Sequence, residues 1–277
     1  MSGKLYVVGT PIGNLGDFSP RAVTVLGAVD CIAAEDTRVT VKLLNHFGIK
    51  TPLLSYHEHN KKSVGEKIIE RLLAGENFAL VSDAGMPAIS DPGEDLINLC
   101  HENAISVESV PGPSAVVTAL ALSGLPTGRF CFEGFLSVNK TSRKKHLEQI
   151  KNESRTMVFY EAPHKLRATL NDMLAVLGDR EIALVKELTK LHEQVQRTTL
   201  SEAVAQYELQ EPKGEFVLIV RPAPEEPAPE ITIEQARCLA EQYMEKGMSA
   251  SAAAKAAAAE TGLKKGEIYK ALVGENA

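Results

Sequence analysis

The chain has no tryptophan, and aromatic residues make up 5% of its 277 positions. Its cores must therefore be mainly aliphatic. No apolar run approaches the ~18 residues of a membrane span. The N-terminus enters a strand-like run without the charged and apolar blocks of a signal peptide. A cytoplasmic protein with no membrane partner is expected. Closely spaced cysteines are also missing. Cys31, Cys100, Cys131 and Cys238 are far apart and form no CxxC pair, which points to reduced core thiols in a reducing compartment. No metal site is expected. Finally, there is no excess of positive charge: 30 Lys and Arg stand against 36 Asp and Glu, net −6. Any nucleic-acid contact must come from a local patch.

What is present is a soluble composition, 44% hydrophobic and 24% charged, with length for two or three domains. Short apolar runs recur, each followed by small or polar residues. "KLYVVGTP", "VDCIAAEDTR", "FALVSDAG" and "ISVESVPGPS" form a first set; "RFCFEGF", "TMVFYEAPH", "EIALVKELTK" and "GEFVLIVRP" form a second. Helical patterns lie between several of them. "SVGEKIIERLLAGE" puts Ile68, Ile69, Leu72 and Leu73 on one face, and "PHKLRATLNDMLAVLG" does so with Leu166, Leu170, Leu174 and Leu177. Alternating strands and helices predict an α/β protein with largely parallel sheets.

Boundaries follow from composition. A first α/β domain is expected over residues 1–113 and a second over 114–222. A helix over 114–122, capped by Ser114, marks the junction. "RPAPEEPAPE" has four prolines in ten residues, so 223–231 is expected to be a stiff linker. Beyond it, 232–277 predicts three helices: one over 233–246, one opening at Ser249 or Ser251, and one over 264–272. The pattern suits a helix-turn-helix-like module or a plain three-helix cap. It carries six Lys and Arg against seven Glu from position 230 on, so it is no obvious DNA reader.

Ligands of open α/β sheets bind outside the carboxyl ends of the strands, and the unusual residues sit there. "GTPIGNLGD" fits neither the dinucleotide fingerprint nor the P-loop. "SDAGMPAISDPG" is a rigid loop. Gly85 and Gly93 permit conformations closed to other residues, Pro87 and Pro92 stiffen the path, and Asp83 and Asp91 argue against a polyphosphate. With "VPGPSA", three such loops at one sheet edge predict a binding cleft.

These motifs resemble those of the tetrapyrrole methylase superfamily. "TPIGNLGD", "AAEDTR", "SDAGMPAISDPG", "VPGPSA", "FYEAPHKL" and "KELTKLHE" occur in order. The resemblance implies two α/β domains with S-adenosylmethionine in the cleft between them, and an appended helical module. It also implies 2′-O-methylation of a cytidine ribose in the decoding region of 16S rRNA within the small ribosomal subunit, by a homodimer. Carried over motif by motif, the cofactor site would comprise Asp83, Ala84, Gly85, Met86 and Ile89, with Ser114, Ala115, Tyr160, Glu161 and Leu188, and Pro11 at the floor.

A ribose hydroxyl is a poor acid, so a carboxylate or imidazole near it is useful. Glu35, Asp36, His57 and Glu187 are the candidates, with Arg38 placed to pair a phosphate or hold Asp36. The residues leave that choice open. For RNA, residues 138–167 carry eight Lys and Arg against three Glu. "NKTSRKKH", taken as a loop, is the densest part, and Lys140, Arg143, Lys144 and Lys145 are expected to meet phosphates. Two rival functions remain: a small-molecule tetrapyrrole methylase acting on a uroporphyrinogen, and a non-enzymatic nucleic-acid-binding regulator.

Overall fold

The structure is a computed structural model that describes residues 2–224 and 231–274. The expected linker falls mostly at 225–230 and so lies largely outside the described residues. The chain divides into two compact units, Met1–Ala223 and Pro224–Ala277. No helix among the described residues is long and apolar enough to cross a membrane.

The first unit holds two five-stranded sheets. The first contains β1 (Lys4–Val8), β2 (Cys31–Ala34), β3 (Leu53–Ser55), β4 (Phe78–Val81) and β5 (Ser106–Val110), in the order β3-β2-β4-β1-β5. All its pairings are parallel. Side chains alternate between its faces. Leu5, Cys31, Ala33, Phe78 and Leu80 join the core under α3 (Lys61–Leu73) and α4 (Glu94–Glu102). Val8, Ile32, Ala34, Ala79 and Val81 join the one under α1 (Pro20–Ala28) and α2 (Thr37–His46). Burial on both faces is why β2 and β4 are apolar throughout. On α3, Ile68, Ile69 and Leu72 are buried as expected. Leu73 is 51% exposed, because a residue directly after Leu72 is rotated about 100° off that face.

The second sheet contains β6 (Phe130–Phe135), β7 (Thr156–Glu161), β8 (Glu181–Lys186), β9 (Gln194–Thr199) and β10 (Phe216–Val220), in the order β6-β7-β10-β8-β9. Here the expectation of a largely parallel sheet fails. Only β6 and β7 pair in parallel; β10 runs antiparallel to β7 and β8, and β9 to β8. The β8–β9 connection spans only positions 187–193, too short for a parallel crossover, which needs about a dozen residues or more. The fully buried β10 is central. α5 (Ala115–Ser123) covers one face; α6 (Lys140–Gln149), α7 (Pro163–Leu177) and α8 (Leu200–Leu209) cover the other. Thus "NKTSRKKH" is the start of a helix, capped by Asn139, whose Oδ1 accepts the Ser142 N–H.

The second unit is a three-helix cluster of α9 (Ile233–Glu245), α10 (Ala250–Thr261) and α11 (Lys265–Val273). Its core is nearly all alanine, Ala236, Ala240, Ala253, Ala254 and Ala257, closed by Ile268. Small side chains bring the helices close. Thr232 and Ser249 cap α9 and α10, and Gly262 ends α10 in the left-handed conformation. Cys31 and Cys100 are buried, Cys131 is partly buried and Cys238 is exposed.

Candidate active site

The loops that follow β1, β4 and β5 gather at the carboxyl edge of the first sheet. They meet the ends of β7, β8 and β10 around a cavity of about 480 Å³, within the range of about 300–1,000 Å³ usual for cofactor pockets. The β4 loop is held by an isolated antiparallel bridge. The Thr10 N–H donates to the Gly85 carbonyl at 2.9 Å, and the Gly85 N–H returns to the Thr10 carbonyl at 3.1 Å. Gly85 adopts φ +88°, and beyond it Ala88 and Ser90 also lie at positive φ, 66° and 64°. Non-glycine residues in that region carry strain that the surroundings must hold. The first and last loops touch through backbone: a Cβ on Gly9 would lie 2.6 Å from the Gly112 Cα. Ser114 occupies the N-cap of α5, yet its side chain makes no capping hydrogen bond. Ser114 lines the cavity instead, and the capping hydrogen bond expected of it is not made.

The opposite wall is apolar, formed by Phe135, Tyr160, Val185, Leu188 and Val217. Tyr160 packs against Phe132 and Phe135 with ring centroids 4.9 and 5.4 Å apart. Burial pushes its phenol up to about 12, so the hydroxyl stays neutral. Glu161 also lines the cavity but is committed to the fold. It takes the Lys165 ammonium at 3.1 Å, the Ala162 N–H at 2.9 Å and the Thr169 hydroxyl.

The near wall is acidic. Glu35, Asp83 and Asp91 all line it, and among the described residues no Lys, Arg or His does. Burial, then the charge of Asp83, raises the Glu35 carboxyl. Burial likewise raises Asp83, whose Oδ1 accepts the Asp36 N–H at 3.1 Å. Asp91 is pushed furthest, to about 7, first by burial and then by Glu35.

Ten of the cofactor residues expected from sequence surround this one cavity: Asp83, Ala84, Gly85, Met86, Ile89, Ser114, Ala115, Tyr160, Glu161 and Leu188. Pro11 does not; its neighbour Ile12 does. Of the acid–base candidates only Glu35 reaches the cavity. Asp36 caps α2, and Arg38 grips it at 2.6 Å and holds it down to about 2. His57 does not line the cavity, and its Nδ1 is buried without a partner. Glu187 accepts the Glu215 N–H and pairs with Lys190, contacts that lower its carboxyl, and it does not line the cavity. Among the phosphate candidates Lys140, Lys144 and Lys145 are exposed. Arg143 is not: it is 6% exposed, pairs with Asp172 at 2.6 Å, and donates to the Ser137 and Val138 carbonyls. It holds α6 to α7 and has no free face for RNA. Ile12, Asp91 and Phe135 are among the lining residues that were outside the expected cofactor set. Asp91 stands in the same motif as Asp83, and that adjacency was the available signal.

The family of tetrapyrrole (corrin/porphyrin) methylases matches residues 4–204. The chain belongs to that family. Within it, the chain groups with proteins named ribosomal RNA small subunit methyltransferase I. The Synechocystis sp. protein of that name is 48% identical over 97% of this chain and 96% of its own. The Thermotoga maritima one is 48% identical over 79% of this chain and 98% of its own. Among solved structures, uroporphyrin-III C-methyltransferase from Thermus thermophilus, complexed with S-adenyl homocysteine, superposes with a TM-score of 0.54 at 18% identity, covering 78% of this chain and 97% of that one. At that identity the likeness is one of fold.

Proposed function

We propose that this chain transfers the methyl group of S-adenosylmethionine to the ribose 2′ hydroxyl of a cytidine in the decoding region of 16S rRNA. The observation that carries the reading is the cavity, acidic on one wall and apolar on the other, built from the family's own motifs. Its residues suit the cofactor. A sulfonium is cationic, and the Glu35 and Asp83 carboxylates line the cavity, where no Lys, Arg or His does among the described residues. An adenine needs apolar walls, which Phe135, Leu188 and Val217 supply. Gly85 and Ser114 offer backbone and hydroxyl groups to the polar remainder. When bound, the cofactor supplies an electrophilic methyl that needs no protein electrophile. The protein's part is to align the acceptor oxygen and take its proton.

The names of the relatives point to small-subunit rRNA. Lys140, Lys144 and Lys145, exposed on α6, give a cationic strip for phosphates in an otherwise acidic protein. The acidic wall disfavours a uroporphyrinogen, itself a polycarboxylate. A purely binding role would leave the cavity without a purpose. Such a substrate places the reaction in the cytoplasm. A homodimer fits the exposed Val117 and Leu122 of α5 and Val195 of β9; sedimentation at micromolar concentration tests it. Calorimetric titration with S-adenosylmethionine tests the cofactor. The reading predicts one saturable site, and no heat of binding in a folded protein would overturn it.

A further inference from the structure

The loop after β4 places a second carboxylate on the cavity, one that was not among the acid–base candidates. Asp91 lies on the cavity wall between Ser90 and Pro92. Asp91 sits at a bend, and the proline that follows disfavours helical backbone there. Ser90 at φ +64° and Gly93 at φ +150° fix the chain on either side. A Cβ on Gly93 would come within 2.8 Å of Leu80, so the segment is pressed onto β4. This backbone is over-determined, and the one ionisable group that residues 88–93 bring to the cavity wall is the Asp91 carboxyl.

That carboxyl has no cationic partner among the described residues. The groups that face it are the Glu35 and Asp83 carboxylates, the Ser82 hydroxyl and the Tyr160 phenol. Glu161, further along the wall, is neutralised by Lys165. Of these only Ser82 favours ionised Asp91.

Resting on the methyl-transfer reading above, we propose that Asp91, held on the cavity wall by this pinned loop with Glu35 beside it, is the general base of the reaction. The acceptor hydroxyl gives its proton to an Asp91 oxygen as its own oxygen forms a bond to the methyl carbon. The carbon–sulfur bond breaks, its electron pair remains on sulfur, and the positive charge there disappears. The proton then passes from Asp91 to solvent. A carboxylate at the ordinary value of 3.8 would be a weak base for an alcohol; one at about 7 is matched to the working pH. Asp36, clamped by Arg38, and Glu187, tied to Lys190, are not so matched.

The test compares the full chain with Asp91→Asn by three measurements. The first is kcat/KM for S-adenosylmethionine at saturating small ribosomal subunits from pH 5 to 9, which reports ionisations of the enzyme before the cofactor binds. The wild type is expected to rise through a midpoint near pH 7. The variant should lose that inflection and fall by roughly 10²- to 10⁴-fold. The second is calorimetric affinity for S-adenosylmethionine, expected to change by less than about tenfold, below one pKa unit's worth of interaction. The third is melting of the ligand-free proteins. A carboxyl raised in the folded state binds its proton more tightly there than in the unfolded chain. Its contribution to stability is therefore full below about pH 4 and lost as pH rises to about 7. Asp91→Asn should thus melt higher relative to wild type at pH 8 than at pH 5. A variant with wild-type rate and inflection overturns the proposal. So does loss of cofactor binding, which would make Asp91 a binding group, or a melting difference independent of pH. If the Asn variant fails to fold, Asp91→Glu takes its place. It should keep the inflection at reduced rate, and its absence overturns the proposal equally. A wild-type protein that binds no S-adenosylmethionine overturns the underlying reading instead, while the melting comparison still reports whether Asp91 holds its proton near neutrality.

Discussion

Gly85 shows what one residue contributes. Its Cβ would sit 3.4 Å from Ile12 and 3.6 Å from the Pro113 carbonyl, ordinary contact distances. Space is not the obstacle; φ +88° is. A β-branched residue in left-handed backbone costs about 1–2 kcal/mol, and its γ carbons would reach into the cavity. Gly85→Val should keep the fold and lose at least about tenfold in S-adenosylmethionine affinity, the equivalent of ~1.4 kcal/mol. Calorimetry on the folded variant checks this, and unchanged affinity would remove the loop from the site. This glycine was legible in the sequence, because paired Gly and Pro after an apolar run signal special backbone. Arg143 was not. A run of cations looks alike whether its members face water or a buried partner, and Asp172, 29 positions on, supplies that partner.

At the scale of elements, α6 has two faces with separate roles. Arg143 turns inward to Asp172 at 2.6 Å, with both side chains at or below 10% exposure. Removing one partner of such a pair costs about 3–5 kcal/mol when the other charge is stranded, an upper bound here because the Lys144 ammonium lies 3.9 Å from Asp172. Arg143→Ala should lower denaturant stability by up to that amount, and a change below ~1 kcal/mol would show the pair to be weak. Lys140 and Lys145 are exposed, as is Lys144, although its ammonium also comes within 3.9 Å of Asp172. Replacing all three by Ala should leave stability and cofactor affinity unchanged and reduce the log–log salt slope of RNA binding by roughly 2–3. An unchanged slope would move the RNA path off this helix. The sequence revealed the long apolar strands but not β3, three residues long, nor β9, whose "QVQRTT" is a half-exposed edge. Edge strands bury little and carry a weak apolar signal. Without β9 and the short loop before it, the antiparallel half of the second sheet could not be anticipated.

Across the whole molecule, both sheets and the cavity belong to the unit ending at Ala223, and the alanine-cored helices to the other. The Thermotoga maritima relative matches 79% of this chain with 98% of its own length, so it has no length for the remaining fifth. A chain ending at Ala223 should therefore fold, melt cooperatively and bind S-adenosylmethionine as the full chain does. It should methylate rRNA more slowly if the helical unit helps hold the substrate, since tethering raises effective concentration. Paired calorimetry and methyl incorporation separate the two roles. Loss of cofactor binding would show that the helices complete the site. The most direct test of the central claim is to incubate the full chain with unmodified small ribosomal subunits and isotopically labelled S-adenosylmethionine, then map the labelled nucleotide by nuclease digestion and mass spectrometry. The account predicts label on the ribose of a single cytidine in the decoding region of 16S rRNA. Label on a base, or transfer to a uroporphyrinogen in preference to RNA, would contradict it.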